Sequence, residues 1–310
     1  MKLSVLITYH NEGRWLTECL QSIVPQLAAD DEVLIHDDAS SERAEDFVLA
    51  DTRARMLRST TNIGPARARN ELLAASRGTH VHFHDADDLF ADTWREKVGA
   101  ALATGVDVVF TDVAGFDDAG QSWHNVMGVS ALNRTRDLLG HALRGGLLGN
   151  AGTYRREVVQ RMGGYRNDLW QSEDYDFHIR LALEQPGWTV LEDDLVLIRH
   201  HGRQRSRKVR EVWTCAVDAL EKLAGEFPRD AYDDVAFAAT RAGSALYASG
   251  AHEQAARAFA LARRFGGARY DRRAMQRLTR LFGALPAEWL ASTYRKVVPN
   301  ALRARVQRSG

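Results

Sequence analysis

Short apolar runs alternate with amphipathic stretches through the N-terminal two thirds of the chain. Leu3–Thr8 is an apolar run that stops at the polar turn Tyr9-His10-Asn11-Glu12-Gly13, and it reads as a first β-strand. From Arg14 to about Gln26, Trp15, Leu16, Cys19, Leu20 and Ile23 fall on one helical face. Glu32–His36 predicts a second strand, ending at Asp37-Asp38-Ala39-Ser40-Ser41; a helix over about Glu42–Asp51 and a short strand near Arg55–Arg58 follow. Asn62-Ile63-Gly64-Pro65 opens a helix that runs to Ser76, with proline suited to its first turn. His80–His84 alternates as a strand and stops at an aspartate cluster. Val106–Thr111 predicts another strand, and Asp117-Asp118-Ala119-Gly120 a hairpin turn. Arg155–Met162 predicts a short helix closed by Gly163-Gly164, Glu173–Glu184 a helix that begins with acids, and Thr189–Ile198 a strand. Such alternation predicts a mostly parallel sheet flanked by helices, an α/β fold. Beyond Arg210 the pattern is helical nearly throughout. The expected division is therefore 1–208, an α/β domain, and 209–310, a helical region.

In sheets of this kind ligands bind at the carboxyl ends of the strands. Three predicted strands end in polar or acidic residues: Thr8–Asn11, Asp37–Ser41 and Asp85–Asp88. Asp85 and Asp87, two apart at a strand end, are expected to point the same way and to share one hard cation, Mn²⁺ or Mg²⁺. An Asp-rich turn that merely caps the helix starting near Asp92 explains the same residues. Asp37 and Asp38 suit a base N–H or a ribose hydroxyl, and equally suit helix-dipole partnership beside Ser40 and Ser41. Glu173 and Asp174 suit a general base, and equally a favourable helix N-terminus. Arg199-His200-His201 suits diphosphate or metal, through one histidine rather than both, because neighbours on an extended chain face opposite ways.

Composition narrows this little, but charge distribution adds one feature. The chain has 310 residues with 41 basic and 41 acidic side chains, yet residues 261–310 carry a surplus of ten positive charges. Such a tail suits an anionic membrane surface or polymer, or is a solvated helix face. Cys19 and Cys215 are far apart and make no disulfide framework or metal spacing, which fits a reducing cytosol. No apolar run is long enough to span a membrane, and the short start before the first turn is no signal peptide. A cytoplasmic protein, reaching the inner membrane face through its tail, is the expectation, with no nucleic-acid partner.

Taken in order, Ser4–Glu12, Asp37-Asp38-Ala39-Ser40, Asn62-Ile63-Gly64 with Ala68-Arg69-Asn70, Asp85-Ala86-Asp87-Asp88, Gly163-Gly164-Tyr165 and Glu173-Asp174-Tyr175-Asp176 resemble the inverting family 2 nucleotide-sugar glycosyltransferases, which have the GT-A fold. The resemblance spans about residues 1–205. It implies that Thr8, His10, Asn11 and Asp38 hold a nucleoside, usually uridine, with Glu12 and Asp37 beside them. It places Arg69 along the donor, Asp85, Ala86 and Asp87 at the metal and diphosphate with Asp87 the direct ligand, and His201 near the diphosphate as a further metal-shell candidate. Asp174 matches the general base, with Glu173 its neighbour. Two departures stand out: His10 replaces a common tyrosine, and Ala39 replaces the usual glycine, so that this turn should avoid a positive φ. The implied reaction is a single in-line displacement from a nucleoside diphosphate sugar onto a saccharide or lipid-linked acceptor. Acceptor choice is expected in residues 121–150 and 165–172, where Trp123, Trp170 and the glycine run shape a surface.

Rival readings are testable on the same residues. A sugar nucleotidyltransferase needs a Gly-rich, basic phosphate loop after its first strand, which Tyr9–Gly13 is not. An inactive nucleotide-sugar-binding scaffold would not need both the metal acids and the base. Gly243, Leu246, Gly250, Ala255, Phe259 and Ala262 fit one tetratricopeptide-like helix pair, too little for a solenoid. The last predicted helix, about Ala287–Gln307, is basic and amphipathic and suits an anionic bilayer.

Overall fold

The computed structural model describes residues 2–48, 54–202 and 208–270, and residues 275, 283–285 and 288. The chain divides into two compact units between Arg205 and Ser206. The first holds nine strands, β1 (Leu3–Tyr9), β2 (Glu32–Asp38), β3 (Ala54–Ser59), β4 (His80–Asp85), β5 (Leu89–Phe90), β6 (Val108–Asp117), β7 (Ser122–Trp123), β8 (Gly152–Arg155) and β9 (Trp188–His200). Around them lie α1 (Arg14–Ile23), α2 (Pro65–Ala75), α3 (Trp94–Leu102), α4 (Val129–Thr135), α5 (Leu138–Leu143), α6 (Arg156–Arg161) and α7 (Glu173–Leu183).

The sheet runs β3-β2-β1-β4-β8-β6-β9-β5, with β7 hairpinned onto β6. The six long strands all point one way; only four-residue β8 and the two-residue β5 and β7 are antiparallel. Parallel strands covered on both faces should be largely apolar, and β1 is: Leu3, Val5, Leu6, Ile7 and Tyr9 are buried, and the buried Ser4 hydroxyl donates to Glu32. In β4 the alternation is deceptive, because its polar positions are buried too. His82 is wholly buried between Phe90 and Trp94, with Nδ1 3.1 Å from Thr153 Oγ1 and Nε2 3.3 Å from His84 Nδ1. Burial pushes His84 down to about 4, so this layer is uncharged at neutral pH.

Two local expectations fail. Where a helix over Glu42–Asp51 was predicted, the described part forms only a 3₁₀ turn, Ala44–Phe47. Asp37 and Asn11 take up the N–H groups of the segment before it: Asn11 Oδ1 accepts from Ser41 and Glu42, and Asp37 Oδ2 from Ala44. Ala39, expected to avoid a positive φ, sits at φ 56°. Asp37 imposes it, because its carbonyl accepts from Ala39 N–H and its Oδ1 from Ser40 N–H, folding the chain back on itself. An alanine there costs about 1–2 kcal/mol. Ala39→Gly is therefore expected to raise stability by up to about 1 kcal/mol after the extra unfolded-state freedom of glycine is subtracted. The urea midpoint should rise at constant m-value; a lower midpoint would show that Ala39 carries no strain.

The second unit contains α8 (Val209–Lys222), α9 (Tyr232–Ala248) and α10 (His252–Arg264). Val217, Ala242, Leu246, Ala255, Ala258 and Phe259 form its core. A Cβ on Gly243 would lie 2.9 Å from the Phe259 ring, so this glycine lets α9 and α10 approach. The basic amphipathic helix predicted over about Ala287–Gln307 lies outside the described residues, apart from buried Glu288. Among the described residues no helix is long and apolar enough to cross a membrane.

Candidate active site

Strand register gathers the predicted residues. Thr8 pairs with Asp85 and Tyr9 with Asp37, while Asp38 lies opposite Ser59, so β1, β2, β3 and β4 end along one edge. There His10 is exposed, its Nδ1 2.8 Å from the Asp38 carbonyl oxygen and the Asn62 amide nitrogen 3.4 Å away. Since a carbonyl only accepts, Nδ1 carries the proton and the ring is held as a flat platform at the sheet edge.

The neighbouring acids shape this edge more than they face out from it. Asp37 is wholly buried and accepts from Arg58 Nη1 at 2.6 Å as well as from Ser40 and Ala44. Burial opposes its ionisation, but its hydrogen bonds from Ser40 and Ala44 and the Arg58 charge hold it below the ordinary aspartate range. Asp38 accepts from Ser59 Oγ, Ile63 N–H and Gly64 N–H, fastening the loop before α2. Asn11 Oδ1 takes three donors from Ser41 and Glu42. All three side chains thus accept hydrogen bonds from the loops that follow β2 and β3.

Past β4 the chain turns, Asp88 N–H donating to the Asp85 carbonyl. Strand alternation thus stops at Asp85, and the Asp85 and Asp87 carboxylates take different partners. Asp85 Oδ1 accepts from Thr8 Oγ1 at 3.0 Å and Arg69 Nη2 at 2.8 Å. Asp87 Oδ2 instead lies 2.7 Å from His201 Nε2. Among the described residues no three His, Cys, Asp or Glu side chains form a ready-made metal cluster, so Asp85, Asp87 and His201 do not stand as a three-ligand set.

The charge around this turn still fits a divalent cation. Burial, then Asp87 and Asp85, push Glu12 up to about 8 against its backbone hydrogen bonds, and burial, Asp87 and Asp85 hold Asp88 well above the usual range. At Asp85 the Arg69 charge outweighs burial and keeps the carboxyl below the ordinary range. Oxygen-rich donors with one imidazole and surplus negative charge suit Mn²⁺ or Mg²⁺, supported by Asp87 and His201.

Arg69 joins this turn to the start of α7. Arg69, buried in α2, donates through Nη2 to Asp85 and through Nη1 to Glu173 Oε1 at 2.9 Å, with its guanidinium carbon 5.3 Å from the Tyr165 ring centre. Burial works against the charge of Arg69, but Asp85, Tyr165 and Glu173 more than offset it. Asp174, the next residue, is half-buried at the start of α7 and pushed up to about 6, first by burial and then by Glu173, with Arg69 pulling the other way. Gly149 packs beside it, a Cβ there lying 3.5 Å from that of Asp174.

Residue patterns gave no hint of the staple at the end of β9. Arg199 N–H donates to Asp88 Oδ1, its Nε to the Asp87 carbonyl and its Nη2 to Glu18 at 2.6 Å. Trp15 packs against the His201 ring at 4.6 Å, and Asn150 Nδ2 donates to Asp88 Oδ2. The clue available was Arg199 itself, since arginine is seldom buried without charged or carbonyl partners.

The sequence model of Glycosyl transferase family 2 matches residues 4–163, more than half of the chain. The chain belongs to glycosyl transferase family 2. An uncharacterized glycosyltransferase of Haemophilus influenzae is 28% identical over 210 residues, covering 66% of this family 2 chain and 70% of that protein. Glycosyltransferase GlyG of Streptococcus pneumoniae is 25% identical over 122 residues, and the match spans only 40% of its length. Residues 1–349 of S. aureus TarS, solved with UDP-GlcNAc, share the fold at TM-score 0.66 and 17% identity, covering 96% of this chain and 92% of that one. The mannosyltransferase PcManGT from Pyrobaculum calidifontis, solved with GDP-Man and Mn²⁺, gives 0.62 at 18% identity, over 98% and 83%. At such identities the likeness establishes the GT-A fold of this family 2 member.

Proposed function

We propose that this family 2 enzyme transfers a sugar from a nucleoside diphosphate sugar, UDP-linked, to an acceptor hydroxyl with inversion at the anomeric carbon. The observation that carries the reading is the Arg69 bridge, which ties the donor-side acid Asp85 to the base segment Glu173-Asp174. His10 offers its ring to the base of the nucleotide, and the loops held by Asn11 and Asp38 line the nucleoside. Asp174 accepts the acceptor's hydroxyl proton as the new C–O bond forms and the bond to the diphosphate breaks, releasing the nucleoside diphosphate. A Mn²⁺ or Mg²⁺ ion held by Asp87 and His201, with Asp85 near, would offset the charge on the departing diphosphate. The donor bound to TarS and the donor and Mn²⁺ bound to PcManGT support this division of labour. We also propose a cytoplasmic enzyme acting in polysaccharide, glycolipid or glycoconjugate synthesis, with a lipid-linked acceptor reached through the basic tail.

Thermal unfolding with a panel of nucleotide sugars tests the reading. With Mn²⁺ present and donor at about a hundred times its dissociation constant, stability should rise by about 2.7 kcal/mol, a shift of several degrees. The effect should be strongest for a UDP-sugar and vanish on chelation. No stabilisation by any nucleotide sugar, with either metal, would sink it.

A further inference from the structure

Among the large hydrophobic side chains in the described part of the first unit, Trp170 is the most exposed at 53%. The loop that carries it is anything but loose. Asn70 binds both the backbone N–H and carbonyl of Tyr165 at 2.8 Å, and Leu169 and Gln171 on either side of Trp170 are buried to 3% and 5%. The chain then enters α7 through Ser172 at φ 56°, two residues before Asp174. Alternation of buried, exposed and buried positions on an anchored loop presents this one indole outward by construction.

The ring also rests on the donor side. A Cβ on Gly64 would lie 2.9 Å from its six-membered ring, so the indole packs directly over the glycine whose N–H is held by Asp38. Trp170 therefore spans the seam between the loop that lines the nucleoside and the segment that carries the base. Trp123, the other exposed tryptophan among the described residues, has no such place: it packs edge-on to His200 at 5.0 Å on the β6–β7 hairpin.

We infer that Trp170 is the acceptor-specificity residue, and that the acceptor is a saccharide whose apolar C–H face lies on the indole while its hydroxyl is delivered to Asp174. The inference rests on the glycosyl-transfer reading above. A broad aromatic surface with little rotamer freedom binds a pyranose face at low entropic cost and leaves the ring hydroxyls in water.

The test uses the full chain labelled with 5-fluorotryptophan, in Mg²⁺ and UDP, with the Trp170 resonance assigned through Trp170→Phe. Methyl glycosides of common hexoses and 6-deoxyhexoses are titrated in. At least one should move the Trp170 signal saturably and leave Trp123 unmoved. Trp170→Ala should raise the KM for transfer to that glycoside at least about tenfold, well beyond any change in donor KM, and Trp170→Phe should restore most of the loss. A Trp170 signal that responds to UDP but to no glycoside, or an unchanged acceptor KM in Trp170→Ala, would overturn the inference. Failure of the unsubstituted protein to bind any nucleotide sugar or to transfer sugar to any glycoside would instead overturn the glycosyl-transfer reading itself.

Discussion

Replacing Asp174 by asparagine is expected to lower transfer by about 10²–10⁴-fold while the donor still stabilises the protein against heat. Asparagine keeps the shape and can still pair with the Tyr175 N–H, as Asp174 Oδ1 does at 2.8 Å, so α7 should start as before. What it loses is the ability to accept a proton. The pH dependence follows from the same group. Burial and Glu173 raise Asp174 to about 6, and the active form is the carboxylate, so activity is present above that pH and lost below it. The kcat/KM of the unsubstituted enzyme should fall about tenfold per pH unit under about 6. Near-normal transfer by Asp174→Asn, or an acid limb lying far below 5, would remove Asp174 from the role.

The second large effect is expected at Arg69. Arg69→Met keeps much of the side-chain volume but leaves Glu173 buried beside a missing charge, the two side chains being 7% and 8% exposed. Breaking such a pair costs about 3–5 kcal/mol. The lower end applies here, since Asp85 on the other arm is 42% exposed and solvent screens it. Chemical denaturation should show that loss, and Glu173→Gln in the same chain should recover much of it, as coupled neighbours do. A distinct signature separates the site role from simple stability. Arg69 favours the carboxylate of Asp174, so its removal should move the acid limb of the pH profile upward. An acid limb at the same pH in Arg69→Met would confine Arg69 to a structural role.

The same pair of residues shows where sequence reading reaches its limit. Arg69 was legible as part of a donor-side motif, and Glu173-Asp174 as a pair of acids at a helix start. Their contact joins positions 104 residues apart, and no periodicity reports such a distance. Asp85 and Asp87 are a similar case. Their spacing was correct as a sign of a strand end, but the turn begins one residue sooner than alternation assumes, and the two carboxylates take different partners.

Local patterning alone determined the order of the long strands, the helices α1, α2, α6 and α7 and the sheet edge at which the strands end, because a buried strand and an amphipathic helix each leave a period in the residues themselves; it missed the short β5 and β8 and placed a helix where Ala44–Phe47 forms a 3₁₀ turn. It also marked the acids, the histidine and the base segment, because ionisable residues clustered at strand ends stand out against an apolar background. Only the tertiary structure decided that Asp37, Asp38 and Asn11 hold loops, that Ala39 bears a positive φ, that Arg199 staples β9 to the Asp85–Asp88 turn, and that Trp170 lies over Gly64. Each of these depends on which hydrogen-bond donors and surfaces arrive from distant parts of the chain, and that is settled by packing rather than by the order of residues along any one segment.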